Sequence, residues 1–408
     1  MALRPEGSCA ALVMCLAALL CLAKPVPAHG LQLLDSRDRA AMYATANGTY
    51  TVLVLQGSWE EMGRQYGALA SNRLRRFYTR IVADLAERGI GPQDRRKRAR
   101  KTFRTYGPEL RGLIRGMART SGLTLRETKV LNAGMILLTQ AVLEQEAPDA
   151  CSAVAAWGKY TPKGKLVLGR NWDIDRKAMR KYMSSLAVVV FRPQNGYAFA
   201  NIHPLGNVYV ETGLNSRGVL VELNNARKSD PSFYPDREDS SSVLVDVLSQ
   251  AENVEEACRM LVNTPADCSY TIQVADEEKA VAVERPTFDP RVREGRDQGL
   301  LVAYNSFVPP YPESWRDRIQ PPPSPAQDPR YDNLQALASS ETYQGGLDSE
   351  AMMDLVSIPV RDGGALNPRT VLQVVAVPAD RVIWIRGVGF SGFRRVDLAP
   401  LFSGDALP

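Results

Sequence analysis

The sequence predicts an α+β fold built in layers around a largely antiparallel sheet. Three observations carry that expectation. Helical spacing dominates the stretch before residue 150, short apolar runs dominate the stretch after it, and the strands come in succession, broken by helices, instead of alternating with them one for one. With 408 residues, 45% hydrophobic and 23% charged, the chain can bury a large core, which excludes a disordered or fibrous protein. Fifty Lys and Arg against 45 Asp and Glu give a net charge of +5, too mild a balance for a nucleic-acid partner.

Residues 1–30 read as a secretory signal peptide. Arg4 supplies the positive start, an apolar run from Cys9 to Ala23 follows, and Ala28-His29-Gly30 is a small-x-small cleavage site. The run is shorter than the roughly 20 residues of a membrane span. The expectation is therefore a secreted or periplasmic protein with no membrane span once the signal is removed. Removal leaves three cysteines, Cys151, Cys258 and Cys268, and one histidine, His203. An odd number leaves at least one thiol unpaired. Cys258 and Cys268 could form a disulfide or stay as two buried thiols, and Cys151 is the natural odd one.

The section 31–150 opens with a strand, Tyr50 to Leu55, and is mainly helical after it. Ser58-Trp59-Glu60-Glu61 is a capping box, followed by an apolar stripe at Met62, Tyr66, Leu69, Leu74 and Tyr78. Thr124-Leu125-Arg126-Glu127 is a second capping box, opening a helix that carries Val130, Leu131, Met135, Leu137 and Leu138. The basic run Arg95-Arg96-Lys97-Arg98 between them is a nucleic-acid or membrane patch or a solvated helix face, and the mild overall charge favours the solvated face.

A short polar linker, Glu146-Ala147-Pro148-Asp149-Ala150, ends this section. The section 151–408 is strand-rich. Residues 151–158 and 165–171 form a predicted hairpin around Pro162-Lys163-Gly164. Further strands are expected at 185–191, 207–211, 218–223, 270–275, 279–284, 300–304, 371–377 and 381–387. Helices are expected near 241–250, 253–263, 329–339 and 349–356, and the Pro-rich stretch 308–328 is a surface loop. The sequence contains no internal repeat.

The hairpin gathers the chemistry. Cys151 begins its first strand and Gly169-Arg170-Asn171-Trp172-Asp173 ends its second, so Arg170 and Asp173 come within reach of the thiol. A guanidinium nearby favours thiolate, and an aspartate can hold an ammonium or orient a base. The base itself is missing. One histidine cannot make a two-histidine metal site, and His203, in Asn201-Ile202-His203-Pro204, fits a loop as well as a catalytic role. Cleavage between Ala150 and Cys151 would solve the problem by giving Cys151 a free α-amine. That group has a reference pKa of about 7.7–8.0 and can take the thiol proton.

These motifs, Cys151-Ser152-Ala153-Val154, Gly169 to Asp173, Gly213-Leu214-Asn215-Ser216-Arg217-Gly218-Val219 and Leu223-Asn224-Asn225, resemble the N-terminal-nucleophile (Ntn) hydrolases. Within them the chain is most similar to the acyl-CoA:6-aminopenicillanic acid acyltransferase family, and more distantly to choloylglycine hydrolases and acid ceramidases. The resemblance implies a four-layer αββα sandwich, a precursor cut before Cys151 into a pro-segment and a catalytic chain, and action on a linear amide. It implies Cys151 as nucleophile, with its α-amine as base. It places Asp173 on that amine and Arg170 beside the thiol. Asn224 is the oxyanion donor, with Asn225 as the neighbour that could take its place, and Asn305 is a second active-site asparagine. Arg316 or Arg318 falls where the distant branches keep an arginine. The spacing from Cys151 to Asp173 is longer than in the bile-salt branch. No metal or organic cofactor is required.

The expected function is an exported cysteine amidohydrolase that cleaves a small-molecule N-acyl amide through a thioester. Transfer of the acyl group to an amine acceptor is the alternative enzyme reading. A ligand-binding protein with the same fold and no chemistry is the alternative from another class.

Overall fold

The computed structural model describes residues 30–145, 151–174 and 176–404. The expected signal peptide up to residue 29 and the linker 146–150 lie outside the described residues, and so does the acyl side of the bond between Ala150 and Cys151.

Two sheets form the centre. The first has ten strands in the order β1, β2, β3, β6, β7, β8, β9, β10, β11, β12. These are Gln32–Arg37, Ala40–Ala44, Thr51–Gly57, Leu186–Pro193, Phe199–Pro204, Thr212–Asn215, Leu220–Asn225, Tyr270–Ala275, Ala280–Arg285 and Arg291–Glu294. The second has six strands in the order β13, β4, β5, β14, β15, β16. They are Leu300–Tyr304, Ser152–Gly158, Gly164–Asp173, Thr370–Val377, Val382–Gly387 and Arg394–Asp397. Every pairing is antiparallel except β3 with β6, which are parallel.

Helices cover both outer faces. On the ten-stranded sheet lie α1 (Trp59–Glu87), α5 (Ser240–Gln250) and α6 (Val254–Asn263); α3 (Pro108–Thr120) and α4 (Leu125–Gln145) pack on α1, and α2 (Pro92–Thr105) packs on α4. On the six-stranded sheet lie α7 (Arg330–Ala338) and α8 (Ser349–Val356). The strands β9, β10 and β11 of one sheet face β13 of the other. The chain is thus the four-layer αββα sandwich that the resemblance implies.

Local chemistry explains the helix starts. Ser58 and Glu61 complete a reciprocal capping box at α1, and Thr124 and Glu127 do the same at α4. The stripe Met62, Tyr66, Leu69 and Leu74 is buried, as are Val130, Leu131, Met135, Leu137 and Leu138 on α4. Helices α1 and α3 cross closely because a Cβ on Gly63 would stand 2.1 Å from the Leu113 carbonyl, and one on Gly116 2.1 Å from that of Glu60. Removing side-chain volume at the crossing is what allows backbone to approach backbone.

One strand expectation fails locally. Residues 207–211 are irregular, because the Asn201 side chain donates to the carbonyls of Asn207 and Tyr209 and so occupies groups that a ladder would use. The strands β7 and β8 flank that loop instead, and His203 lies on β7, paired with Ala187, and not in a loop. The N-terminal section also contributes three strands to the larger sheet, of which only β3 was expected. Cys258 and Cys268 are two separate buried thiols and not a disulfide. Burial pushes the Cys258 thiol up to about 12 and raises that of Cys268. Among the described residues no helix is long and apolar enough to cross a membrane.

Candidate active site

The hairpin β4–β5 builds the site. Its register pairs Ser152 with Asn171 and Ala153 with Arg170, and one further step sets Cys151 beside Trp172. Opposite residues in an antiparallel pair share a face. Cys151 and Trp172 accordingly line one cavity of about 320 Å³. Cys151 is only 4% exposed, and its thiol donates to the Asp173 carbonyl at 3.8 Å.

Asp173 is fully buried and paired with Thr370 at the entry to β14. Its Oδ2 accepts a 2.6 Å hydrogen bond from Asn367 and stands 3.6 Å from Nη1 of Arg330. Its Oδ1 has no hydrogen-bond partner among the described residues. Burial pushes the carboxyl up to about 6, against the opposing pull of Arg330, Thr370, Asn367 and Arg170.

Arg330 is a residue the sequence reading missed. It opens α7, is buried, and grips Asp328 bidentately through Nε at 2.8 Å and Nη2 at 2.6 Å. Its Nη1 donates to the Cys151 carbonyl at 2.9 Å. Asp328 and Asp173 hold this guanidinium firmly protonated against its burial. The arginines expected in this role stand elsewhere. Arg316 is exposed and paired with Glu313, and Arg318 lies over the Phe288 ring. The signal for Arg330 was Asp328-Pro329-Arg330, an acid and a proline at a correctly expected helix start.

Arg170 is buried, and its guanidinium is committed to the other sheet. It donates to the Glu211 carbonyl at 2.7 Å and the Leu223 carbonyl at 2.6 Å, bonds Thr212, and pairs with Glu222 at 3.2 Å. The guanidinium that touches the backbone of the nucleophile is that of Arg330 rather than Arg170. Glu222 is held up to about 7 by burial, despite Arg170.

Alternation along β9 separates the two asparagines. Glu222 and Asn224 turn to the layer between the sheets, where Asn224 donates to Glu222 at 2.7 Å. Leu223 and Asn225 turn to the cavity. The Asn225 Oδ1 accepts from the Arg227 N–H at 3.0 Å, which fixes the amide and leaves Nδ2 as its donor end. Asn305, just past β13, donates to the Asn225 carbonyl at 2.8 Å and so ties the ends of the two sheets together.

His203 is not placed as a base. Burial, with Arg170 nearby, lowers its pKa to about 3. It packs between Trp172 and Tyr209, with ring centroids 5.5 Å and 4.9 Å away. Glu211, 3.9 Å from its Nε2, lines the cavity and is raised to about 7 by burial.

Residues 160–344 match the model of the acyl-coenzyme A:6-aminopenicillanic acid acyl-transferase family. The matched segment contains Arg170, Asp173, both asparagines of β9, Asn305 and Arg330. No curated protein matches the chain. Among solved structures, it is similar to an ortholog of N-acylethanolamine-hydrolyzing acid amidase from Caenorhabditis elegans, at 22% identity and TM-score 0.43 over 56% of this chain and 93% of that one. It is also similar to a mutant of the conjugated bile acid hydrolase of Clostridium perfringens, at 15% identity and TM-score 0.42 over 61% and 92%. A third similar structure is the penicillin V acylase of Agrobacterium tumefaciens, at 14% identity and TM-score 0.38 over 58% and 83%.

Proposed function

We propose that the chain is an exported cysteine amidase of the Ntn type, matured by cleavage before Cys151. The observation that carries the reading is the pairing of Cys151, at the wall of a cavity and the start of a strand, with Asp173. The thiol donates to the Asp173 main-chain carbonyl at 3.8 Å, and the buried Asp173 side chain keeps its Oδ1 without a hydrogen-bond partner among the described residues.

The α-amine of Cys151 takes the thiol proton, and Asp173 holds the resulting ammonium. The thiolate attacks the amide carbonyl carbon and forms the C–S bond. Asn225, through Nδ2, donates to the tetrahedral oxyanion, since the Asn224 amide is turned to Glu222 instead. The C–N bond then breaks, and the ammonium proton passes to the leaving amine. Water attacks the thioester, sulfur leaves, and the acid product and the resting thiol form. An amine in place of water gives acyl transfer, the reaction named by the family that residues 160–344 match. Arg330 anchors the nucleophile through its carbonyl and keeps the Asp173 carboxylate next to a positive charge.

The test is a screen of N-acyl amides with varied acyl chains, with and without prior treatment by a thiol-directed probe. The reading expects rapid labelling of Cys151 and loss of turnover in proportion. Slow labelling with no turnover of any amide supports a silent binding protein instead.

A further inference from the structure

Helix α2 carries Arg95, Arg96, Lys97, Arg98, Arg100, Lys101 and Arg104, and none of them forms an ion pair among the described residues. Glu127, whose charge acts together with that of Arg96, directs its carboxylate to its own capping box. Like charges at i and i+4, such as Arg96 with Arg100 and Arg100 with Arg104, oppose helix formation.

The geometry says where an anion would sit. Arg98, Lys101, Thr102 and Thr105 recur at helical spacing and form one wall of the cavity that holds Cys151. The adjoining face of α2 lines a second cavity of about 550 Å³, which shares Lys101, Thr105 and Pro235 with the first. Arg96, Lys97, Arg100, Lys101 and Arg104 line it against a single carboxylate, Asp236. The first cavity is mixed in charge, because Glu211, Asp239 and Asp267 also reach it, but Asp239 caps α5 and Asp267 accepts from Ser240. Near the nucleophile its wall is apolar, with Ile136, Leu137, Trp172, Ile174 and Leu223. The two cavities therefore run from an apolar wall at the thiol to a strongly positive pocket on α2. Clefts lined by one sign of charge concentrate ligands of the other.

We propose that the basic face of α2 is an anion subsite of this enzyme. Its substrate is a linear amide whose apolar part lies along Leu137, Trp172 and Ile174. The far end carries a carboxylate, sulfonate or phosphate that docks between α2 and Pro235–Asp236. The inference rests on the amidase reading above and adds the class of substrate.

The experiment compares two amides of equal length on the full processed protein, one ending in a carboxylate and the other in its methyl ester. The expected preference in kcat/KM for the carboxylate is about tenfold or more, shrinking as salt shortens the screening length. In the double variant Arg100→Gln and Arg104→Gln the ratio should fall towards one, while Arg100→Lys should keep it. Equal turnover of the two amides, or a preference that survives the double variant, overturns the proposal. Binding to vesicles of anionic phosphatidylglycerol that depends on Arg100 and Arg104, with no preference between the amides, overturns it in favour of a lipid surface. Titration with pyrophosphate, followed by calorimetry, reads the subsite without catalysis. Heat that is lost in the double variant supports the subsite even if no amide is turned over, an outcome that would count against the amidase reading alone. Absence of binding to wild-type protein counts against the subsite.

Discussion

Arg330 and Asp173, 157 positions apart in sequence, stand 3.6 Å apart in the fold, and the same Nη1 that faces the aspartate donates to the carbonyl of Cys151 at 2.9 Å. One guanidinium thus connects the candidate nucleophile, the carboxylate that would orient its amine, and Asp328 at the start of α7. Its removal takes the shared cation from the buried Asp173 and the partly buried Asp328.

The first prediction follows from that geometry. Arg330→Met should destabilise the protein by about 3–5 kcal/mol, the usual cost of stripping one partner from a buried ion pair. Arg330→Lys should keep the charge and lose the fork, because an ammonium cannot grip Asp328 bidentately. Amidase assays and chemical denaturation of the two variants check this. Wild-type stability and turnover in Arg330→Met would remove the residue from the account.

The two asparagines of β9 make the second prediction. Asn225→Ala should lower kcat by about 10²–10³-fold, the scale of one lost oxyanion donor, with little loss of stability. Asn224→Ala should act mainly on stability, because its amide supports Glu222 between the sheets. Paired kinetic and thermal measurements separate the two. The opposite pattern would return the oxyanion role to Asn224.

Asp173→Asn is the third. The variant keeps the shape and loses the anion, so folding should persist while turnover drops by about tenfold or more, as for a lost acid–base partner. Near wild-type turnover by correctly processed Asp173→Asn would exclude the carboxylate from the mechanism.

The fourth concerns pH. Asp173 is raised to about 6, and Glu211 and Glu222 to about 7, all by burial. A carboxyl raised above its unfolded value near 4 stabilises the fold fully below that unfolded value, and its contribution is lost as pH rises through the folded one. Melting temperature should therefore fall between about pH 4 and pH 7. A flat or rising curve over that interval would contradict the burial of these three groups, and Glu222→Gln should flatten the fall.

Much of this was legible in the sequence, and the misses have physical reasons. The hairpin from Cys151 to Asp173, the helix starts at Ser58 and Thr124 and most strands follow from alternation and capping, which are local. The loop at 207–211 alternates like a strand, but a distant amide, that of Asn201, occupies its carbonyls. Arg330 was hidden because its value lies in contacts across the fold, with Cys151 and Asp173, that no spacing encodes. The choice between Asn224 and Asn225 depends on which face of β9 meets the cavity, and a one-residue register decides it. The basic helix has the exposed face expected of it, and the tertiary structure adds that Arg98 and Lys101 border the nucleophile's cavity.

The central claim is the α-amine of Cys151, and the state of the chain at that residue tests it most directly. Purified protein should run as two fragments on a denaturing gel, near 31–150 and 151–408. Mass analysis should read Cys-Ser-Ala-Val at the start of the larger fragment, and Cys151→Ala should remain a single chain. In the cleavage step the Cys151 sulfur attacks the Ala150 carbonyl, the C–N bond breaks to free the α-amine and leave a thioester, and water hydrolyses that thioester to give the Ala150 carboxylate and the free thiol. A fully active enzyme that remains one intact chain across that bond would contradict the account, because Cys151 would then have no amine to act as its base.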